Sequence, residues 1–180
     1  MYISQRLKQR NISEYLLYMW QVEDIIRANQ LDIDQLESTY ISQFKPTEAQ
    51  RAELREWYSN IIEMMRSEGV AETGHIQINK NIIILLTDLH LSLVKSPKYP
   101  FYSSTYYKAL PIIVQLRQMA GKDQKGEIET CFDALYGVML LRLQGKTISD
   151  ETSKATAVIS QFLGMLSDYY HKDKEEPLEF

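Results

Sequence analysis

Ile76-Gln-Ile-Asn-Lys-Asn-Ile-Ile-Ile-Leu-Leu-Thr-Asp-Leu-His-Leu-Ser-Leu-Val-Lys95 is the stretch that decides the fold. At the 3.6-residue period of a helix, Ile82, Leu85, Leu86, Leu89 and Leu93 share one face, and Ile83, Ile84, Leu91 and Val94 cover much of the rest. A helix that is apolar nearly all round belongs inside a protein, so a buried central helix is expected near 76–95. The aliphatic run Ile82 to Leu86 stops at Thr87 and Asp88, far short of the ~20 apolar residues of a membrane span.

Outward from this centre the same period recurs between helix punctuation. Upstream, Asn11 and Glu14 have the spacing of a capping box, and the helix after them is predicted to run to about Asn29 with Leu16, Met19, Trp20 and Ile26 inward. A short helix is predicted from about Asp32 to Phe44. Thr47-Glu-Ala-Gln50 forms a second capping box that opens a helix to about Glu68, with Leu54, Trp57, Ile61 and Met64 inward and Gly69 as its stop. Downstream, Ser96-Pro-Lys-Tyr-Pro100 is a clear break. Helices are then expected over about 103–120, where Pro111 should kink the chain or mark a restart, over about 124–144 after an Asp123 cap, and over about 150–171 after a Ser149 cap. The predicted architecture is all-α, a single-domain antiparallel bundle of six or seven helices over 1–171, with a charged, frayed tail at 172–180.

Bulk composition agrees with a globular core and narrows the function. The chain has 180 residues, 44% of them apolar and 24% charged, which excludes a disordered or collagen-like chain. The net charge of −4 argues against general nucleic-acid binding, which requires basic surface to displace counterions. Cys131 is the only cysteine, so neither an intramolecular disulfide nor a cysteine zinc site can form, and a lone thiol fits a reducing, cytoplasmic setting. Neither a membrane partner nor general nucleic-acid binding is expected.

The opening Met1-Tyr-Ile-Ser-Gln-Arg-Leu-Lys8 and the following Glu14-Tyr-Leu-Leu-Tyr-Met-Trp-Gln-Val-Glu-Asp-Ile-Ile-Arg-Ala-Asn29 resemble a bacterial family of small all-helical proteins described as a domain of unknown function. Tyr18-Met-Trp-Gln-Val-Glu-Asp24 is the most distinctive part. The resemblance extends in length over essentially the whole chain. It implies the helical fold and brings no reaction, cofactor or catalytic residue with it.

No phosphate loop, nucleophile elbow, His-Glu-x-x-His motif or EF-hand loop is present. Glu72-Thr-Gly-His75 has the letters of a carboxylate–histidine metal pair, but it contains Gly74 and lacks the partner motif that a di-metal bundle needs. Neither a metal nor a cofactor is expected. The notable groups are polar residues on apolar stripes: Glu23 between Met19 and Ile26 with Trp20 beside it, Asp88, His90 on the stripe of Ile83, Leu86 and Val94, and Arg142 after Leu135, Val138 and Met139. A buried charge must find a partner or change its protonation state, so Glu23, His90 and Arg142 are expected to approach one another in the core. The second anomaly is aromatic: Tyr99, Phe101, Tyr102, Tyr106 and Tyr107 cluster after the Pro-rich break, a composition that suits an interface.

These features point to a non-enzymatic helical binding module, acting through protein interaction or self-association, with a homodimer as its simplest form. Two alternatives stay open. One is a small-molecule sensor whose polar pocket is built from Trp20, Glu23, Asp88, His90 and Arg142. The other is an acid–base enzyme using Glu23, Asp88 and His90.

Overall fold

A computed structural model describes residues 2–123 and 125–180, and it is all-α. Among the described residues there are eight α-helices: α1 (Tyr2–Arg10), α2 (Ile12–Ala28), α3 (Ile33–Thr39), α4 (Glu48–Ser67), α5 (Gln77–Lys95), α6 (Pro100–Ala120), α7 (Glu127–Leu143) and α8 (Asp150–Glu175). The eighth, beyond the six or seven expected, is α1, whose thin apolar pattern gives the period little to report. Short 3₁₀ turns follow α3 and α6.

Local chemistry accounts for the boundaries. The Thr47 box forms as read: the Thr47 hydroxyl accepts the Gln50 N–H at 3.3 Å, and the Gln50 side chain accepts the Thr47 N–H at 3.0 Å. Asn11 Oδ1 accepts the Ser13 N–H at 3.0 Å. Ser149 caps α8 through the Thr152 N–H at 3.1 Å. Pro100 opens α6 at its first turn, where its missing N–H costs nothing, and α6 continues through Pro111 without a restart. The N-cap of α7 is Gly126; the side chain of Asp123, expected to cap there, lies outside the described residues.

The chain divides into two compact units, residues 1–9 with 14–82 and residues 10–13 with 83–180. α5 runs through the division. The core of the first unit includes Leu16, Met19, Trp20, Ile26, Leu36, Ile41, Tyr58, Ile61 and Met65. On α4 the inward face is Tyr58, Ile61, Ile62 and Met65, one position on from the expected Trp57 and Met64. In the second unit α6, α7 and α8 pack pairwise around Tyr102, Ile113, Phe132, Phe162 and Leu166. Residues 10–13 are tied to α8 by the Ser13 hydroxyl, 2.6 Å from that of Ser167. α8 continues past Lys172 to Glu175, and the residues beyond it hold Tyr99: its hydroxyl donates to the Glu179 carbonyl at 2.8 Å, and its ring lies 5.9 Å from that of Phe180.

One expectation is corrected. α5 is not buried all round. Asn79, Ile82, Leu86, His90 and Leu93 face inward, whereas Ile78, Ile84, Leu85 and Leu91 are between 42% and 53% exposed. The hydropathy of this helix exceeds what its burial requires.

Candidate functional site

The first unit contains one fully enclosed carboxylate, Glu23, and the chain around it is built to present donors. α4 ends in a Schellman motif: Gly69 at φ +70° lets the Val70 N–H reach the Met65 carbonyl at 2.9 Å and its own N–H the Arg66 carbonyl at 3.2 Å. Arg27, one turn beyond Glu23 on α2, grips the following loop through the carbonyls of Val70 (3.1 Å) and Gly74. Gly74 holds φ +87°, a backbone angle that a side chain would strain. Glu68 then accepts the Gln77 N–H at 2.5 Å.

The loop so fixed brings three donors to Glu23. Its Oε1 accepts the Ile76 N–H at 3.0 Å and Asn79 Nδ2 at 2.8 Å, and its Oε2 lies 2.6 Å from His75 Nδ1. Trp20 stacks flat on the His75 ring, with centroids 4.1 Å apart and planes 10° apart. A carboxylate against the first N–H groups of α5 also sits at the positive end of the helix dipole. With Nδ1 turned to Glu23, the other ring nitrogen of His75 has no protein partner among the described residues, and the ring is partly exposed.

The second unit encloses His90 differently. Its Nδ1 lies 2.7 Å from the Tyr102 hydroxyl, and its ring meets those of Tyr106 (4.7 Å) and Phe162 (5.5 Å) edge to face. Glu127 is 4.0 Å from Nε2 and accepts the Tyr106 hydroxyl at 2.8 Å. Burial disfavours the imidazolium and lowers the His90 pKa below its ordinary value, with the Glu127 carboxylate opposing in part. The same burial pushes the Cys131 thiol up to about 12, so it is an inert hydrophobe.

Glu23, His90 and Arg142, expected to approach one another, each keep different company. Both oxygens of Glu23 are taken by donors of the first unit, His90 is enclosed by aromatic residues of the second, and Arg142 is exposed on the wall of an open groove of about 490 Å³ that Leu135, Val138 and Met139 also line. Asp88, read as a core residue, is exposed on α5. Of the aromatic cluster, Tyr102 and Tyr106 are core residues, Tyr99 packs on Tyr169 and Phe180, and only Phe101 and Tyr107 are largely exposed. No group of three or more His, Cys, Asp or Glu side chains is placed to hold a metal, and no helix is long and apolar enough to cross a membrane, among the described residues.

Sequence reading missed His75 and Asn79 as partners of Glu23. The available signal was the demand itself: a buried carboxylate needs donors, and the start of the next long helix supplies free N–H groups.

An all-helical chain with these two polar centres is the class that fold and geometry define. The chain belongs to the family described as a domain of unknown function, DUF4924, whose family model matches residues 1–177. No curated protein and no solved structure matches it.

Proposed function

We propose that this protein is a non-catalytic helical binding module that pairs with a second copy of itself along α5. The observation that supports this is the exposed face of that helix. Ile78, Asn81, Ile84, Leu85, Asp88 and Leu91 fall within an arc of about 140° at 100° per residue, and all six are exposed. Contiguous exposed apolar surface of this kind marks interaction sites.

The face is self-complementary. In an antiparallel pair centred between Ile84 and Leu85, Ile84 of one copy meets Leu85 of the other, Ile78 meets Leu91, and Asn81 meets Asp88, as a closed two-fold contact demands. Asn81 is oriented for that role. Its Oδ1 already accepts the Gln77 side-chain amide at 2.8 Å, which leaves Nδ2 to donate to a carboxylate. The Asp88 carboxylate has no partner among the described residues. Self-association thus moves from the Tyr99–Tyr107 cluster, where Tyr102 and Tyr106 are core, to α5. A bacterial cytoplasm is the setting we infer, because the buried thiol of Cys131 suits a reducing compartment and the opening segment resembles a bacterial family.

Light scattering and native mass spectrometry over a concentration series test the pairing. Wild type is expected to be a dimer and Leu85→Glu a monomer of unchanged helicity. Asn81→Asp alone sets like charges opposite each other twice per dimer and should weaken association at least tenfold. Adding Asp88→Asn to it should restore the dimer. A monomeric wild type, or a double variant as weak as the single one, removes the reading.

A further inference from the structure

The first unit also carries a cleft of about 330 Å³, independent of the α5 face. Its walls include Ile41, Leu54 and Phe44, and three tyrosines, Tyr18, Tyr40 and Tyr58, line it with them. Tyr58 is almost fully buried, and its hydroxyl lies close enough to those of Tyr18 and Tyr40 to interact with both. Tyr40 meets Phe44 and Tyr58 edge to face, at 5.1 and 6.3 Å. Phe44 is 60% exposed at the rim, a cost in water that an occupant would relieve.

The hydrogen-bond inventory states what that occupant must offer. Three hydroxyls hold three protons, and the contacts of Tyr58 with the other two can use at most two of them. The remaining proton has no other acceptor among the described residues. Gln50, also on the cleft, spends its side-chain oxygen on the Thr47 N–H, so its amide nitrogen too has protons to give. Burial raises the pKa of all three hydroxyls above the ordinary tyrosine value, so each keeps its proton to donate. No residue of the lining is charged. A ligand carboxylate would lose its hydration here with no cation in return, whereas a neutral carbonyl would accept the spare protons at far lower cost. Size follows from volume: a cavity of about 150 Å³ holds one benzene ring, so this one suits roughly two rings.

We propose that the cleft framed by Tyr18, Tyr40 and Tyr58 is a binding site for a neutral, mainly apolar molecule of about two fused rings that carries one carbonyl oxygen. The proposal does not depend on dimerisation.

The experiment is a ligand-observed NMR titration of the full chain with three matched probes: 1-tetralone (two rings, one carbonyl), tetralin (the same rings without it) and 2-naphthoate (two rings with an anion). Tetralone is expected to bind at least tenfold tighter than either of the others. Replacing Tyr18, Tyr40 and Tyr58 together by Phe removes donors and acceptors at once and keeps the shape, a change that is nearly neutral for folding. In that variant tetralone should fall to the affinity of tetralin. Leu54→Trp, which fills the cleft, should abolish binding of all three, with circular dichroism confirming an unchanged fold in both variants. Equal binding of tetralone and tetralin by wild type, or tighter binding of naphthoate, overturns the carbonyl assignment. Binding that survives Leu54→Trp, or no binding of any probe, overturns the site.

Discussion

Glu23 and His90 are both titratable side chains enclosed by apolar helices, and the two units resolve the same difficulty in opposite ways. Glu23 is surrounded by donors: two side chains and one backbone N–H direct hydrogens at its two oxygens. His90 is surrounded by rings, with one hydroxyl on Nδ1 and a carboxylate no nearer than 4.0 Å on the other side. The first arrangement secures hydrogen bonds for a buried acid. The second removes the charge and keeps a polar ring in an aromatic cage. The contrast shows that polarity on an apolar stripe does not by itself mark a shared pocket, because each unit satisfies its own group locally.

The largest effect should come from breaking the Glu23 centre. Glu23→Ala deprives the Ile76 N–H, Asn79 Nδ2 and His75 Nδ1 of their acceptor together. Leaving buried donors unpaired costs about 1–3 kcal/mol each, and removing one side of a buried ionic contact about 3–5 kcal/mol. A loss of at least about 3 kcal/mol is expected in urea denaturation, the loss being in the midpoint rather than the slope. A loss under about 1 kcal/mol would mean that solvent replaces the carboxylate and that the centre is open.

The matching change in the second unit is smaller. Tyr102→Phe removes one hydroxyl and leaves His90 Nδ1 facing a ring edge, without altering the packing of Tyr102 on Phe162 and Tyr169. One buried neutral hydrogen bond is worth about 1–2 kcal/mol. If Tyr102→Phe proved as costly as Glu23→Ala, the distinction between the two centres would fail.

The same contrast sets what could be read in the sequence. Caps are local, and Thr47 with Gln50, Ser149, Gly69 and Pro100 declare helix ends through their own chemistry. Long stripes are nearly as legible, which is why α5 and α8 fall where the period puts them. The period cannot choose between neighbours of equal character, so the inward face of α4 is Tyr58 and Met65 where Trp57 and Met64 are expected. Nor can hydropathy distinguish a helix face that is buried in the fold from one left exposed, as on α5. The donors of Glu23 were illegible for another reason. They arrive through a loop held by Arg27 across 43 positions of sequence, and no pattern along the chain encodes that grip. The cleft of Tyr18, Tyr40 and Tyr58 is likewise assembled from three separate helices or turns.

The smallest of the expected effects is a dependence on pH. Burial lowers the pKa of His90 in the folded chain below its ordinary 6.5, so well above 6.5 the residue is neutral folded or unfolded and contributes no pH dependence. As pH falls through 6.5, the unfolded chain takes up a proton at this position that the folded chain does not, and proton uptake by the unfolded state favours unfolding. Stability should therefore decline from about pH 7.5 to about pH 5.5 and level off only below the folded-state pKa. Every other ionisable side chain is present in both wild type and His90→Gln, so the difference between their two pH profiles isolates His90. The wild type is expected to lose more stability over this interval than the variant. Parallel profiles would mean that the Glu127 carboxylate fully offsets the burial, so that the folded chain takes up the proton at His90 as readily as the unfolded one, and the cage would not exclude charge.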